Sequence, residues 1–183
     1  MENVNFNVEK ALNAVIYITK HLRRKDFHKI FKILYFSDRE HLINYGRAIT
    51  GDVYIKMEYG PVPSNLYDIF KSVRGDSYFK DNGQFSQYFS VVGRDIIKPN
   101  KNEDLTELSK SDIKHIDDAI RIYGEMSMKE ITDKSHDYAW INTLPNCEMD
   151  LRNIIIEAGG DDEYIQFVKE NYCANTIEEY EYV

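Results

Sequence analysis

The stretches KILYFSDREH at residues 32–41 and YGRAITGDVYIKMEYGPVP at residues 45–63 decide the fold of this chain. The first belongs to a segment whose apolar residues recur at helical spacing: Phe27, Ile30, Phe31, Leu34 and Tyr35. Asp26 is of the residue type that caps helix N-termini, and Gly46 is of the type that ends helices. The pattern predicts a helix over residues 27–42 that starts after Asp26 and ends near Gly46.

The second stretch has the period of a strand. Apolar side chains alternate with polar ones through residues 53–58, after a turn at Gly51-Asp52. This predicts an extended segment over residues 53–58. Pro61 and Pro63 fix φ and lack a backbone donor, so residues 60–63 are expected to form a stiff corner, with Pro63 opening the next helix.

Helical spacing recurs in the remaining chain, over residues 7–22, 66–73, 111–123, after Ser127, and over 161–172. Ser111 is expected to cap the helix that ends near residue 123, and Ser127 and Glu130 have the spacing of a capping box before the next one. A second strand region covers residues 85–98. We therefore expect an α+β fold that is mainly helical, a compact helical domain with a small antiparallel β-hairpin or sheet. Residues 1–173 are predicted to form a single domain, and residues 174–183 an acidic, flexible tail.

Composition narrows the class of protein. The net charge of −8 disfavours general nucleic-acid binding, which begins with the neutralisation of phosphates. A basic cluster between Arg23 and Lys32 leaves two interpretations open, contact with a nucleic acid or acidic partner, and a solvated helix end. The polar opening residues and the lack of a long apolar run predict a soluble, cytoplasmic protein without a membrane partner.

The sequence carries no pattern typical of an enzyme. The phosphate-binding patterns GxxxxGK[ST] and GxGxxG are absent, and so is HExxH. Neither Cys147 nor Cys173 has a partner at metal-ligand spacing. We expect no catalytic residue, no cofactor and no metal site.

The two quoted stretches resemble the Panacea domain of SocA-like antitoxins. The family pattern is a K-x-L-Y-x-x-D helix, then Y-G-x-x-I-T-G-D-x-Y and a Y-G-P-V-P corner, and the chain departs from it with Ser37 where a small apolar residue is expected. A second family marker, a short helix leading into a histidine and a tryptophan, is matched by His136 and Trp140. Together the matches cover most of residues 8–145.

The resemblance implies an antitoxin of a bacterial or phage toxin–antitoxin system that binds and neutralises a partner toxin. Some family members are similar to adaptors that deliver the toxin to a protease, so a cellular protease is a possible second partner. A nucleic-acid-binding regulator using the Arg23–Lys32 cluster is a third alternative.

The partner-binding residues are expected in a tyrosine- and charge-rich part of the matched stretch: Tyr35, Asp38, Arg39, Tyr45, Arg47, Thr50, Tyr54, Tyr59, Pro61 and Pro63. Buried charges need partners, so Asp38 or Arg39 could instead tie the helix to residues 50–60. Trp140 is expected in the core, with His136 as a structural histidine near the Tyr-Gly-Pro corner. The oligomeric state and the choice between interface and scaffold stay open.

Overall fold

A computed structural model describes the backbone of residues 5–78 and 80–178, and side chains as far as residue 170. The elements in this part of the chain are α1 (Val8–His21), α2 (Phe27–Tyr45), β1 (Tyr54–Met57), β2 (Gly60–Pro63), α3 (Ser64–Arg74), β3 (Phe89–Val92), β4 (Ile96–Pro99), α4 (Lys110–Tyr123), α5 (Met128–Ser135), α6 (Tyr138–Ile141), α7 (Leu151–Glu157) and α8 (Asp162–Glu178). The prediction of a mainly helical α+β fold is confirmed. Its strands form two separate antiparallel pairs.

Helix α2 runs through the middle of the core. The Asp26 carboxylate caps it by accepting a hydrogen bond from the Lys29 N–H at 3.1 Å, and Gly46 ends it in the left-handed region at φ 71°. Every residue from Lys29 to Asp38 is buried, because β2, α4, α5 and α7 pack around the helix. The charged side chains in this stretch must therefore find partners inside the protein.

The Gly-Pro-Val-Pro segment, expected as a corner, is a strand. It pairs with β1 in the register Tyr54↔Pro63 and Lys56↔Pro61. Proline cannot donate in a ladder, but the backbone groups of Tyr54 and Lys56 point away from β2 and bond to residues 146–149 instead. The two prolines thus stand where the ladder needs no donor, and Pro63 occupies the position before α3 without a side-chain capping hydrogen bond.

Gly60 lets this hairpin lie directly on α2 and α5. Its φ is 95°, and a Cβ added there would stand 2.3 Å from the Ser135 Oγ and 2.8 Å from the Lys32 Cε. A side chain at this position would collide with both helices. Glycine is required by both the backbone conformation and the close approach.

The second hairpin joins β3 and β4 through a turn at Gly93, inside the strand region expected from the sequence. The segment before α2 extends its sheet, since the Ile97 N–H donates to the Lys25 carbonyl and the Phe27 N–H to the Asp95 carbonyl, both at 2.9 Å. The hairpin is thereby fastened to the start of α2.

Several helix ends differ from expectation. Ser109, not Ser111, caps α4, because its side chain and that of Asp112 form a reciprocal capping box. The capping box at Ser127 is confirmed. Helix α7 was not foreseen, since seven residues show too little periodicity.

The C-terminal boundary also differs. Helix α8 continues to Glu178, past its expected end at Tyr172, and residues 179–183 of the expected tail lie outside the described residues. The division into a domain of residues 1–173 and a tail stays a prediction. Among the described residues, no helix combines the length and apolar character needed to cross a bilayer.

Candidate functional site

Asp38 organises the centre of the matched stretch. Its fully buried carboxylate accepts hydrogen bonds from the Ile49 N–H at 2.8 Å, the Thr50 N–H at 3.2 Å, the Thr50 hydroxyl at 2.9 Å and the Tyr54 hydroxyl at 2.8 Å. Burial raises the pKa of Asp38, and these donors oppose the rise. One side chain of α2 therefore holds both the turn after the helix and the start of β1.

Asp52 performs the same task for α3. Its carboxylate accepts from the backbone N–H groups of Val53, Asn65 and Leu66 and from the Asn65 side chain, at 2.8–3.0 Å. Burial raises the pKa of Asp52 to about 6, although the four donors favour the ionised form. The Thr-Gly-Asp stretch thus anchors the helix that follows the hairpin, because two backbone donors in its first turn, Asn65 and Leu66, converge on the Asp52 carboxylate.

A third network joins α2 to α6 and α7. The Tyr35 hydroxyl donates to Asp137 at 2.7 Å, and the Arg39 guanidinium lies 3.3 Å from Asp137, 3.6 Å from Glu157 and 3.0 Å from Glu40. Burial and the Asp137 charge raise the pKa of Tyr35 well above its ordinary value. Asp137, which also caps α6, is the site residue that sequence reasoning missed. Its signal was its place before a short apolar run.

A fourth network surrounds Asp112, which the sequence also failed to single out. The carboxylate lies 3.1 Å from the Lys10 Nζ, 3.1 Å from the His41 Nε2 and 3.0 Å from the Arg47 guanidinium, and it accepts from the Ser109 N–H at 2.9 Å. Burial alone would raise the pKa of Asp112, but these donors and charges outweigh it and hold that pKa well below its usual range. The network fastens α4 to α1 and to the end of α2.

Lys32 is fully buried, and its Nζ donates to the Pro61 carbonyl at 2.7 Å. Burial lowers its pKa to about 7. The lysine of the family pattern therefore connects α2 to β2 inside the core.

His136 and Trp140 lie together although no helix continues between them. Helix α5 ends at Ser135 and α6 is a single turn, yet the two rings stack with centroids 3.7 Å apart. The Lys56 Nζ lies 4.0 Å from the other face of the indole, and the Trp140 Nε1–H donates to the Met57 carbonyl at 3.0 Å. Trp140 is half-buried, less than a core position implies, and the His136 Nε2 is buried without a hydrogen-bond partner among the described residues.

The structure separates the expected partner-binding residues into two groups. Six have buried side chains and stabilise the scaffold in this conformation: Tyr35, Asp38, Thr50, Tyr54, Pro61 and Pro63. Four reach the surface to different extents: Arg39, with a side chain 12% exposed, Arg47 at 43%, Tyr45 at 53% and Tyr59 at 56%.

The exposed tyrosines do not share a face. Tyr45 is the last residue of α2, whereas the ring of Tyr59 lies 6.0 Å from that of His28 in the first turn of the same helix. At a rise of 1.5 Å per residue, these ends of α2 are roughly 25 Å apart. The matched stretch therefore contributes one exposed tyrosine to each end of the central helix.

A cavity of about 250 Å³ lies between the Asp38, Asp52 and Arg39 networks, and its lining includes Tyr35 and Tyr54. The two aspartates that line it already bind donors of the protein itself. In residues 5–78 and 80–178, no cluster of three or more His, Cys, Asp or Glu side chains could hold a metal ion. The arrangement stabilises the fold.

Comparison with known proteins identifies one family. The family described as "Antitoxin SocA-like, Panacea domain" matches residues 30–141, more than half of the chain. No curated protein and no solved structure matches. The matched region begins in α2 and ends with α6, so it contains the Asp38, Asp52, Lys32 and Asp137 contacts. The chain belongs to the Panacea domain family of SocA-like antitoxins.

Proposed function

We propose that this chain is a cytoplasmic antitoxin that binds a protein toxin directly and neutralises it by covering the toxin's active surface, without catalysis or a cofactor. The family supports an antitoxin role in general. The observation that favours direct binding is that the residues of the matched stretch divide into a buried group and an exposed group. Asp38, Asp52 and Lys32 are engaged inside the protein, whereas Tyr45 and Tyr59 remain more than half exposed. Tyrosine is among the residue types that dominate interface energetics.

The end of α2 offers one surface for a partner. Tyr45 and Ile122, exposed by 53% and 48%, border an open groove of about 500 Å³ between α2 and α4, and Phe36 and Ala119 line it. The Tyr45 ring stacks on His41 with centroids 4.6 Å apart, which limits its freedom. A side chain that is already ordered loses less entropy on binding.

The hairpin turn offers a second surface. Tyr59 occupies the two-residue turn between β1 and β2, next to Gly60, which lies directly on α2, and to Pro61, whose carbonyl accepts a hydrogen bond from Lys32 of α2. Arg39 lies between these two surfaces, but its guanidinium is committed to Asp137, Glu157 and Glu40. We therefore assign partner contact to Tyr45 and Tyr59 in preference to Arg39. Arg47 pairs with Asp112 but is 43% exposed, against 12% for Arg39, so we include it as well.

The basic cluster near the start of α2 gives little support to nucleic-acid binding. Lys29 and Lys32 are fully buried, and their ammonium groups donate to backbone carbonyls. Arg24 is paired with Asp26, and the Arg23 guanidinium lies 3.6 Å from Glu125. The charges that looked continuous in the sequence do not form one exposed basic face.

The test is co-expression with the protein encoded beside this chain's gene. We expect that protein alone to inhibit growth, the pair to grow normally, and the two proteins to co-purify in a fixed ratio. Tyr45→Ala and Tyr59→Ala should weaken co-purification, whereas Tyr78→Ala, at a tyrosine 97% exposed outside the matched motifs, should not. Normal growth without any complex would contradict direct binding.

The same experiment separates neutralisation from delivery to a protease. Under the proposed function, the toxin's amount stays constant while its activity disappears. An adaptor would instead lower the amount of toxin, and deletion of a cellular protease would restore it.

A further inference from the structure

We propose that the toxin docks on a surface formed by residues 138–146 together with β1, and that the docked region of the toxin is apolar with a basic rim. We call these residues the α6 surface: Tyr138, Trp140, Ile141, Leu144 and Pro145, with Met57 and Glu58 of the neighbouring hairpin. This inference rests on the proposed function and identifies the chemistry of the partner's contact region.

The α6 surface presents apolar side chains that the fold does not use. Tyr138 is 44% exposed, Ile141 63% and Leu144 74%. In the single turn of α6, Tyr138 and Ile141 are three residues apart and lie on one side, while Ala139 points into the core with no exposure. Residues 138–147 contain no charged side chain, in a chain of which 30% is charged. Grouped apolar exposure of this kind marks interaction sites.

A groove beside these side chains provides a place for a partner residue. It is open, has a volume of about 520 Å³, and is lined by Lys56, Met57, Glu58, Trp140, Pro145 and Asn146. Tyr59 follows Glu58 directly in the hairpin turn. The groove therefore lies between the Lys56–Glu58 part of the hairpin and the Trp140 and Pro145 side chains.

The α6 surface is held rigid by β1. The Asn146 N–H donates to the Lys56 carbonyl and the Lys56 N–H to the Cys147 carbonyl, both at 2.9 Å. The Lys56 ammonium donates to the Thr143 carbonyl at 2.8 Å and covers one face of Trp140. An exposed loop with this many backbone and side-chain contacts is preorganised, so a partner loses little free energy in ordering it.

Charge selects the kind of partner. Glu58 is exposed and lines the groove, and among the described residues its carboxylate forms no ion pair. The Lys56 ammonium is already committed to the loop carbonyls. A second copy of this chain, with its own net charge of −8, would bring like charges together. A toxin surface with an apolar centre and lysine or arginine at its edge complements both features.

The match to the family ends at Ile141. Leu144 and Pro145 lie beyond it, so two of the seven residues of the α6 surface belong to the part of the chain that the family model does not match. A contact that is specific to one toxin can lie at this surface without changing the scaffold that the family members share.

The experiment measures binding of the purified full-length chain to the purified neighbouring gene product by titration. We expect Leu144→Asp and Ile141→Asp to weaken binding at least 100-fold, and Leu144→Ala about 10-fold. Leu105→Asp, at a leucine 51% exposed in the linker before α4, serves as the matched control and should change binding less than threefold. Glu58→Lys should slow association at low salt, and this difference should shrink at high salt.

Thermal melts of every variant show whether it is folded. Leu144→Ala is used in place of an aspartate variant that is unfolded. If the Leu144→Asp and Ile141→Asp variants bound as tightly as the wild type, this inference would be overturned and the proposed function would remain intact. No binding by the wild type would overturn the proposed function, and this inference with it.

Discussion

The Tyr54 hydroxyl donates to the Asp38 carboxylate at 2.8 Å, and both groups are buried. This hydrogen bond joins the middle of α2 to the first residue of β1, the two elements that the motif encodes. It turns two residues that resemble interface anchors in the sequence into part of the scaffold. Mutations at such positions should act on stability before they act on binding.

Replacement of Tyr54 by phenylalanine removes only the donor to Asp38. A hydrogen bond to a charged group contributes about 1.5–3 kcal/mol, and its loss leaves one oxygen of a buried carboxylate with a single donor. We expect the free energy of unfolding to fall by about 2 kcal/mol in urea denaturation. Tyr59→Phe, at an exposed tyrosine of the same motif, is the control and should unfold like the wild type. Equal effects of the two substitutions would contradict the scaffold role of Tyr54.

Replacement of Lys32 by methionine tests the buried ammonium. The folded-state pKa is lowered to about 7, whereas the unfolded chain retains the ordinary value of 10.5. Between these values the unfolded state binds more protons, so the wild type should gain stability as the pH rises, by up to about 1.4 kcal/mol per pH unit.

Urea denaturation of both proteins at pH 7, 8 and 9 measures this gain as the difference between wild type and Lys32→Met. Other titrating groups largely cancel in that difference. A difference that stays constant from pH 7 to pH 9 would show that Lys32 titrates normally in the folded protein.

The single tryptophan reports on its histidine neighbour. Burial, together with the charge of Lys32, lowers the pKa of His136 below 6.5. Protonation brings a cation against the stacked indole and should quench its fluorescence. We expect the emission to fall with a midpoint below pH 6.5, and His136→Gln to abolish that step. A step that persists in His136→Gln would assign the titration to another group.

Replacement of Asp112 by alanine leaves Lys10, His41 and Arg47 without their shared carboxylate. Loss of one partner from a buried charge network typically costs 3–5 kcal/mol, and the exposure of Arg47 reduces this to about 3 kcal/mol. Because the folded pKa of Asp112 is depressed, its contribution is present above the unfolded value of 3.8 and is lost as the pH falls further.

Urea denaturation at pH 7 and at pH 3 measures both effects of Asp112→Ala, and the difference from wild type should be smaller at pH 3. Asp118→Ala, which removes an exposed partner of Lys114 and Arg121, should change stability little at either pH. A pH-independent cost would mean that Asp112 acts through packing and not through its charge.

Short-range features of this protein could be predicted from the sequence. The span of α2, its Asp26 cap, its end at Gly46 and the strand at residues 54–57 depend on periodicity and on groups within about four residues of one another. The same local rules could not locate α7, which is too short to show a period. They also misplaced the cap of α4, because Ser109 and Ser111 are equally suitable residues and only the box with Asp112 distinguishes them.

By itself the sequence determined the helices, the first hairpin strand, the family pattern and the set of residues around which the site is built. The tertiary structure alone decided which of those residues are accessible. Tyr35 and Arg39 meet Asp137 across 102 and 98 positions of the chain, and Lys32 meets Pro61 across 29. Contacts at such separations depend on how α2, α6 and the hairpin pack. Only that packing determines whether a given tyrosine is buried or exposed, because the residue type is the same in both cases.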